Sequence, residues 1–533
     1  MERTRTYPVK KNYDLVVIGA GSTGATLAGR LSGRQNRSIL VLEAGSAPRS
    51  LEDFPQTVLD PSDYTAMAPG HPVNWSFPGE SRPGVEVSAP RGRIIGGSGS
   101  INGAYFIRGR RSDFDRWEEL GNDKWSYART LPYFRKLEHD ADFTGELHGV
   151  GGPIPVRRED KDRAPEFTAA FTAACVGLGY PEELDKNGDE PEGVGPVPHN
   201  IGDGLRFSPA IAYLLPNLER PNLDVCGDAL VGRVLFDRGR ACAVEFELDG
   251  VRQRVNAGEV ILAAGALRTP QLLMLSGIGP AAQLSEHDIP VVCDSPGVGA
   301  ELVDHPDVVL SYGIDPRVRR IKGRGAMTSA LHWKAWSHEP ASDGSVEILP
   351  YVMTLAEAMG IDETPPPGAR NDDPMHNPFI FMRLMQQHSR GRVFLRSADP
   401  HDGPGLSWNF LTDPRDMGQY REVVRVAASI FESDAMRDIG GRALGLDSHD
   451  LDTDAALDAW ILSHLSTWGP GHGTSTCKMG PETDALAVVD QDGLVRGVSG
   501  LRIADTSIFP TIIARGTNAT AVMVGERLAE LIP

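Results

Sequence analysis

The sequence predicts an α/β fold, α+β overall. In it a parallel-sheet domain is discontinuous, and a second domain, built on an antiparallel sheet with helices, is inserted between its pieces. Three observations carry this. A buried strand at 13–18 runs straight into a glycine turn and a helix; further apolar strands recur near residues 40, 260 and 502; and short strands alternate with loops over 307–400. Strands that share one sheet but lie far apart in the chain require long excursions between them.

Taken in order, YDLVVI (13–18) is β-branched and apolar, which suits a strand buried on both faces. Residues 25–32 read as a helix and 38–42 as a second strand ending at Glu43, completing one βαβ unit. The stretch 46–90 is rich in Pro and Gly and reads as loop and extension. Over 112–138 the pattern is amphipathic, with Trp117, Leu120, Trp125, Leu131 and Phe134 as core positions. Residues 166–178 read as a helix, 223–225, 231–236 and 243–248 as strands, and 260–264 as a buried strand followed by Gly265. The segment 360–377 reads as a mobile surface loop, 421–432 and 454–465 as helices, 501–504 as a last strand and 519–531 as a closing helix. There are no internal repeats. The expected partition is 13–155, 216–306 and 481–533 for the discontinuous domain, and 156–215 with 307–480 for the inserted one.

Composition removes several function classes. Lys+Arg 53 against Asp+Glu 72 leaves a net charge of −19, which repels nucleic acid and anionic membranes. The five cysteines, at 175, 226, 242, 293 and 477, are odd in number and form no CxxC, so neither a disulfide framework nor a metal site is expected. Residues 1–12 lack an apolar segment and do not read as a secretory signal. No apolar run is long enough to span a membrane. A cytoplasmic enzyme is the expectation.

Gly19-Ala20-Gly21-Ser22-Thr23-Gly24 follows the first strand as a GxGxxG turn. The first glycine permits the tight turn, the second lets backbone approach a pyrophosphate, and the third allows close helix packing. The helix N-terminus adds free N–H groups and partial positive charge. Glu43, ending the second strand, can accept from ribose hydroxyls and would repel a 2′-phosphate. This Rossmann-like motif alone leaves NAD and FAD open. Its position at the start of the chain leans towards FAD.

Longer stretches extend the pattern. The run 92–102, from Gly92 to Asn102 with Ile95, Gly96 and Ile101 inside it, continues to Phe106, Gly109 and Asp115. A second run, 265–279, reads GALRTPQLLMLSGIG. A third joins His472-Gly473-Thr474-Ser475-Thr476-Cys477-Lys478-Met479-Gly480 to 505–510, DTSIFP; Gly297-Val298-Gly299 and Asp304-His305-Pro306 lie between. Together, over 13–532, these resemble the signatures of the glucose–methanol–choline (GMC) oxidoreductases. The resemblance implies FAD and oxidation of a primary or secondary alcohol by proton abstraction and hydride transfer to flavin N5. It implies cofactor contacts at Gly19, Gly21, Ser22, Thr23, Gly24, Glu43, Trp75, Ile95, Gly96, Asn102, Gly103, Ala104 and Tyr105. It also puts the Val231 backbone against adenine and Asp505 against the flavin's linker. Relatives that attach the flavin covalently use a histidine just before that asparagine. Here Ile101 stands there, so FAD is expected without a covalent link.

The same resemblance makes His472 the catalytic base and Asn518 its hydrogen-bonding partner. A neutral imidazole can take the hydroxyl proton near neutral pH, and an amide can only orient the oxygen. Trp468-Gly469-Pro470-Gly471 before His472 departs from the pattern as a short insertion, which makes His464 a rival. His305 is expected to be structural, Arg108, Arg110 and Arg111 a solvated or salt-bridged run, and Cys477 a packed thiol. The stretches 105–109 and 147–156 resemble hydroxymethylfurfural-type oxidases and mycofactocin-associated dehydrogenases. Either oxygen or a small organic acceptor would re-oxidise such an enzyme. A non-redox lyase or decarboxylase of the same family is the alternative.

Overall fold

The computed structural model describes residues 9–159, 164–318, 327–335, 345–361, 371–466 and 468–533. Of the loop expected over 360–377, residues 362–370 lie outside these, as do residues 1–8 of the N-terminal segment.

A seven-stranded sheet organises one half of the molecule. Asn12–Ile18 (β1) pairs in parallel with Ile39–Leu42 (β2) on one side and with Val251–Leu262 on the other. Leu501–Ile503 adds in parallel beyond Val251–Leu262, so the strands expected near 15, 40, 260 and 502 do share one sheet. The strand expected at 260–264 is the tail of a longer one. Its first half makes a hairpin with Arg240–Leu248, which pairs in turn with Ala229–Asp237. Leu15, Val16, Val17 and Ile18 are fully or almost fully buried, as a strand packed on both faces must be. The helix Ser22–Leu31 (α1) starts three residues earlier than expected, directly at the glycine turn, and packs against the closing helix Asn518–Leu531.

The amphipathic stretch 112–138 is two helices, Arg111–Glu119 and Tyr127–Leu137, parted at Asn122. Trp117, Trp125 and Phe134 are buried; Leu120 and Leu131 are only half-buried. The region 46–90 is less irregular than expected, since Phe77–Arg82 and Val85–Ala89 form a hairpin.

The second half is built on a six-stranded sheet containing Asp307–Gly313, Phe379–Leu384, Ser345–Tyr351 and Ser329–Lys334, all antiparallel. Helices Glu166–Gly177 and Pro414–Phe431 pack on one face through Phe167, Tyr312, Tyr420 and Phe431. The opposite face presents Tyr351, Phe379 and Phe381 to the cavity described next.

Candidate active site

Gly19 closes β1 with φ of +97°, and a Cβ there would sit 2.5 Å from the Ala263 carbonyl oxygen. Only glycine lets the turn pass so close to the neighbouring strand. Gly24 packs its Cα against the Gly19 carbonyl in the same way. Gly21 is the N-cap of α1 and no side chain caps that end, leaving first-turn N–H donors for a ligand. The second glycine block folds onto the first: a Cβ on Gly97 would lie 2.7 Å from the Gly21 Cα. Glu43 is buried and accepts from the N–H groups of Ala20 (2.9 Å) and Gly45 (2.8 Å). Burial pushes its carboxyl up to about 7. Asp505 accepts from Gly265 N–H (2.9 Å) and Thr269 Oγ1 (2.5 Å), which holds it at the start of the helix Gly265–Leu275.

Most of these groups line one cavity of about 610 Å³. Of the expected cofactor residues, Gly19, Gly21, Ser22, Thr23, Glu43, Trp75, Asn102, Gly103, Tyr105, Val231 and Asp505 line it. Gly24, Ile95, Gly96 and Ala104 do not: they sit behind the wall, Ile95 and Ala104 fully buried, and Gly96 donating to the Ala20 carbonyl at 2.7 Å. An uncapped helix end, a carboxylate at the end of the second strand and two apposed glycine loops fit a dinucleotide such as FAD.

His472 and Asn518 line the same cavity. The His472 N–H donates to Asp304 Oδ1 at 2.7 Å, and that oxygen also accepts from the His305 N–H at 2.9 Å. Asp304 therefore holds both backbones, and burial pushes its carboxyl up to about 6. The two imidazoles meet edge to face, Nδ1 to Nδ1, at 2.9 Å. His305 Nε2 lies 3.0 Å from the Ile513 carbonyl oxygen. A carbonyl only accepts, so His305 carries its proton on Nε2 and leaves Nδ1 bare. Burial holds His305 down to about 4, so it stays neutral. His472 must then donate from Nδ1, which leaves Nε2 as its lone-pair nitrogen. Burial, His305 and Arg383 hold His472 well below the ordinary histidine range. Asn518 Oδ1 accepts from Ser22 Oγ at 2.9 Å, and its Nδ2 is buried without a hydrogen-bond partner among the described residues.

The rival His464 does not line the cavity. It stacks on Trp460 at 4.0 Å and meets the Trp460 carbonyl at the end of its own helix. The departure at 468–471 has a structural role: Gly469 (φ +78°) lies against the Ser88 carbonyl, and the Pro470 carbonyl accepts from Arg91 at 2.8 Å. Arg108, Arg110 and Arg111 pair with Glu138, Glu183 and Asp189, but Arg108 is buried and not solvated. Cys477 is a fully buried thiol. Sequence reasoning missed the tie between His305 and His472. Its one signal was the Asp304-His305-Pro306 run, whose partner lies 167 residues away. It missed the aromatic wall and the Arg383–Asp307 pair altogether, because their residues are dispersed over separate strands.

Family models described as GMC oxidoreductase match residues 13–307 and 387–525. An uncharacterised GMC-type oxidoreductase of Rhodococcus erythropolis is 38% identical over 97% of this chain and 98% of its own. An oxygen-dependent choline dehydrogenase of Photobacterium profundum is 34% identical over 98% of this chain and 93% of its own. The crystal structure of pyridoxine 4-oxidase from Mesorbium loti superposes with a TM-score of 0.85 at 26% identity, covering 97% of this chain and 99% of that one. The glycine cradle and the paired histidines thus sit in a chain that matches these proteins from end to end, and it belongs to the GMC oxidoreductase family.

Proposed function

We propose that this protein oxidises a primary or secondary alcohol to its carbonyl with non-covalently bound FAD. When bound, FAD supplies the hydride acceptor. The residues that would hold it are Gly19, Gly21, Ser22 and Thr23 at the phosphates, Glu43 and Val231 at the adenosine end, Asp505 at the linker, and Trp75, Asn102, Gly103 and Tyr105 along the rest. Gly24, Ile95, Gly96 and Ala104 support that wall from behind. The cavity would be shared between an FAD-binding domain (13–155, 216–306, 481–533) and a substrate domain (156–215, 307–480). The two glycine loops on one side and the six-stranded sheet on the other support that division.

The observation that carries the reading is the chain Ile513 C=O, His305, His472 in the wall of the glycine-lined cavity. It leaves an unprotonated Nε2 on His472. That nitrogen takes the hydroxyl proton; bound FAD would supply the acceptor for the hydride on the hydroxyl-bearing carbon. The imidazolium formed keeps its Nδ1–H on His305. Asn518 Nδ2, without an acceptor among the described residues, donates to the substrate oxygen and orients it. A positioned base of this kind contributes about 10²–10⁴ in rate. The non-redox lyase or decarboxylase reading has less support, since the relatives and solved structure named above carry oxidoreductase, dehydrogenase and oxidase names.

Re-oxidation falls to oxygen or a small organic acceptor. Five free thiols among the described residues fit a reducing compartment, in keeping with a cytoplasmic enzyme, and no helix there is long and apolar enough to cross a membrane. The test is anaerobic mixing of purified yellow holoenzyme with primary alcohols. Bleaching of the flavin is expected, with His472→Ala slower by about 10²–10⁴ at unchanged flavin content. An unbleached flavin with every alcohol, or wild-type rates in the variant, defeats the proposal.

A further inference from the structure

The wall facing His472 is aromatic. Tyr351 stacks on Phe379 at 4.9 Å, and Phe381 and Trp468 meet Phe379 edge to face at 5.2 and 5.3 Å. All four line the cavity that holds His472. Such a box has two chemical uses. It can bury a neutral apolar group, or it can cage a quaternary ammonium through open ring faces backed by a carboxylate.

The surrounding charges decide between them. Among the charged side chains that line the cavity, Glu43 and Asp505 hold backbone of the dinucleotide cradle, which leaves Asp307 as the carboxylate near the box. Asp307 is already taken. Arg383 Nε bonds one of its oxygens and Nη2 lies 3.5 Å from the other, while Nη1 reaches Glu347 at 3.0 Å. Glu347 in turn accepts from His332 and Tyr105. The Arg383 guanidinium also lies 4.5 Å above the Phe381 ring, so a cation of the protein already occupies one face of that ring. One face each of Tyr351 and Phe379 is spent on the other. On the far side, Arg91 stands 3.7 Å from Asp304 and lines the cavity as a second cation.

On the alcohol-oxidation reading above, we infer that the substrate is an uncharged alcohol with a bulky apolar or aromatic group, and that Arg383 is the specificity residue that excludes quaternary-ammonium alcohols. A trimethylammonium in this box would lose its water, find no uncommitted carboxylate among the described residues and meet a guanidinium. A neutral group of the same shape loses only contact with water, which favours burial. Full-length relatives named as choline dehydrogenases make this a sharp claim.

The test compares two isosteres on anaerobic wild-type holoenzyme: choline, and neohexyl alcohol, in which carbon replaces the nitrogen. Benzyl alcohol is a third arm. Neohexyl and benzyl alcohols should reduce the flavin with kcat/KM at least about 100-fold above choline. Choline equal to or better than its carbon isostere overturns the inference while leaving alcohol oxidation standing. If no alcohol reduces the flavin, the underlying reading fails and takes the inference with it. Arg383→Gln adds a second check, because it frees Asp307 and Glu347 towards the box. The choline-to-neohexyl ratio should rise at least about tenfold in it, and an unchanged ratio in a folded, yellow variant refutes the role of Arg383. The wild-type comparison decides the substrate class whether or not that variant folds.

Discussion

Replacing His305 by alanine tests the tautomer argument at its weakest link. The side chain touches His472 at 2.9 Å and the Ile513 carbonyl at 3.0 Å. Its removal leaves the half-buried His472 Nδ1–H without its acceptor, at a cost of roughly 1–3 kcal/mol. The preference for a bare Nε2 falls by the same amount. Since about 1.4 kcal/mol is a decade, flavin reduction should slow roughly 5- to 150-fold. His305→Asn keeps an acceptor near the Nδ1 position and should recover most of that loss. The assay is anaerobic stopped-flow reduction at saturating alcohol, with flavin content and thermal unfolding measured on the same samples. A variant that is folded, yellow and within twofold of wild type, or an asparagine variant no better than alanine, refutes the reasoning. A purely structural His305 would lower stability in both variants alike and would not separate them.

Three further outcomes are expected. Gly19→Ala adds a Cβ 2.5 Å from the Ala263 oxygen at φ +97°, a strain of order 1–3 kcal/mol, and should purify with a lowered flavin-to-protein ratio by absorbance. His472 is held below the histidine reference of 6.5, so it stays neutral and competent as pH falls through that value. The reductive rate should stay flat there, and an acid limb centred at or above 6.5 contradicts the assigned burial. With Ile101 at the position where covalent relatives carry histidine, acid precipitation should leave the yellow colour in the supernatant. A yellow pellet overturns non-covalent binding.

The amino-acid order alone determined the dinucleotide cradle, because its logic is local. A strand, a glycine turn, a helix and a terminal Glu43 are contiguous, and periodicity with turn chemistry specifies them. It also determined that strands near 15, 40, 260 and 502 share a sheet, since each is a short apolar run of one kind. Long motifs drew His472 and Asn518 out of the chain without any geometry. Local pattern failed where a residue's neighbour is distant in sequence. The hairpin Phe77–Ala89 hid in a Pro- and Gly-rich stretch. Gly24, Ile95, Gly96 and Ala104, expected as contacts, are not among the residues that line the cavity. Only the tertiary structure decided which nitrogen of His472 is bare, because that depends on a carbonyl at 513 acting through a ring at 305. Only it decided that Asp307 is spent on Arg383, a pairing made by two antiparallel strands in register. Hydrogen bonding and charge compensation act through space at about 3 Å, and sequence separation carries no trace of that distance.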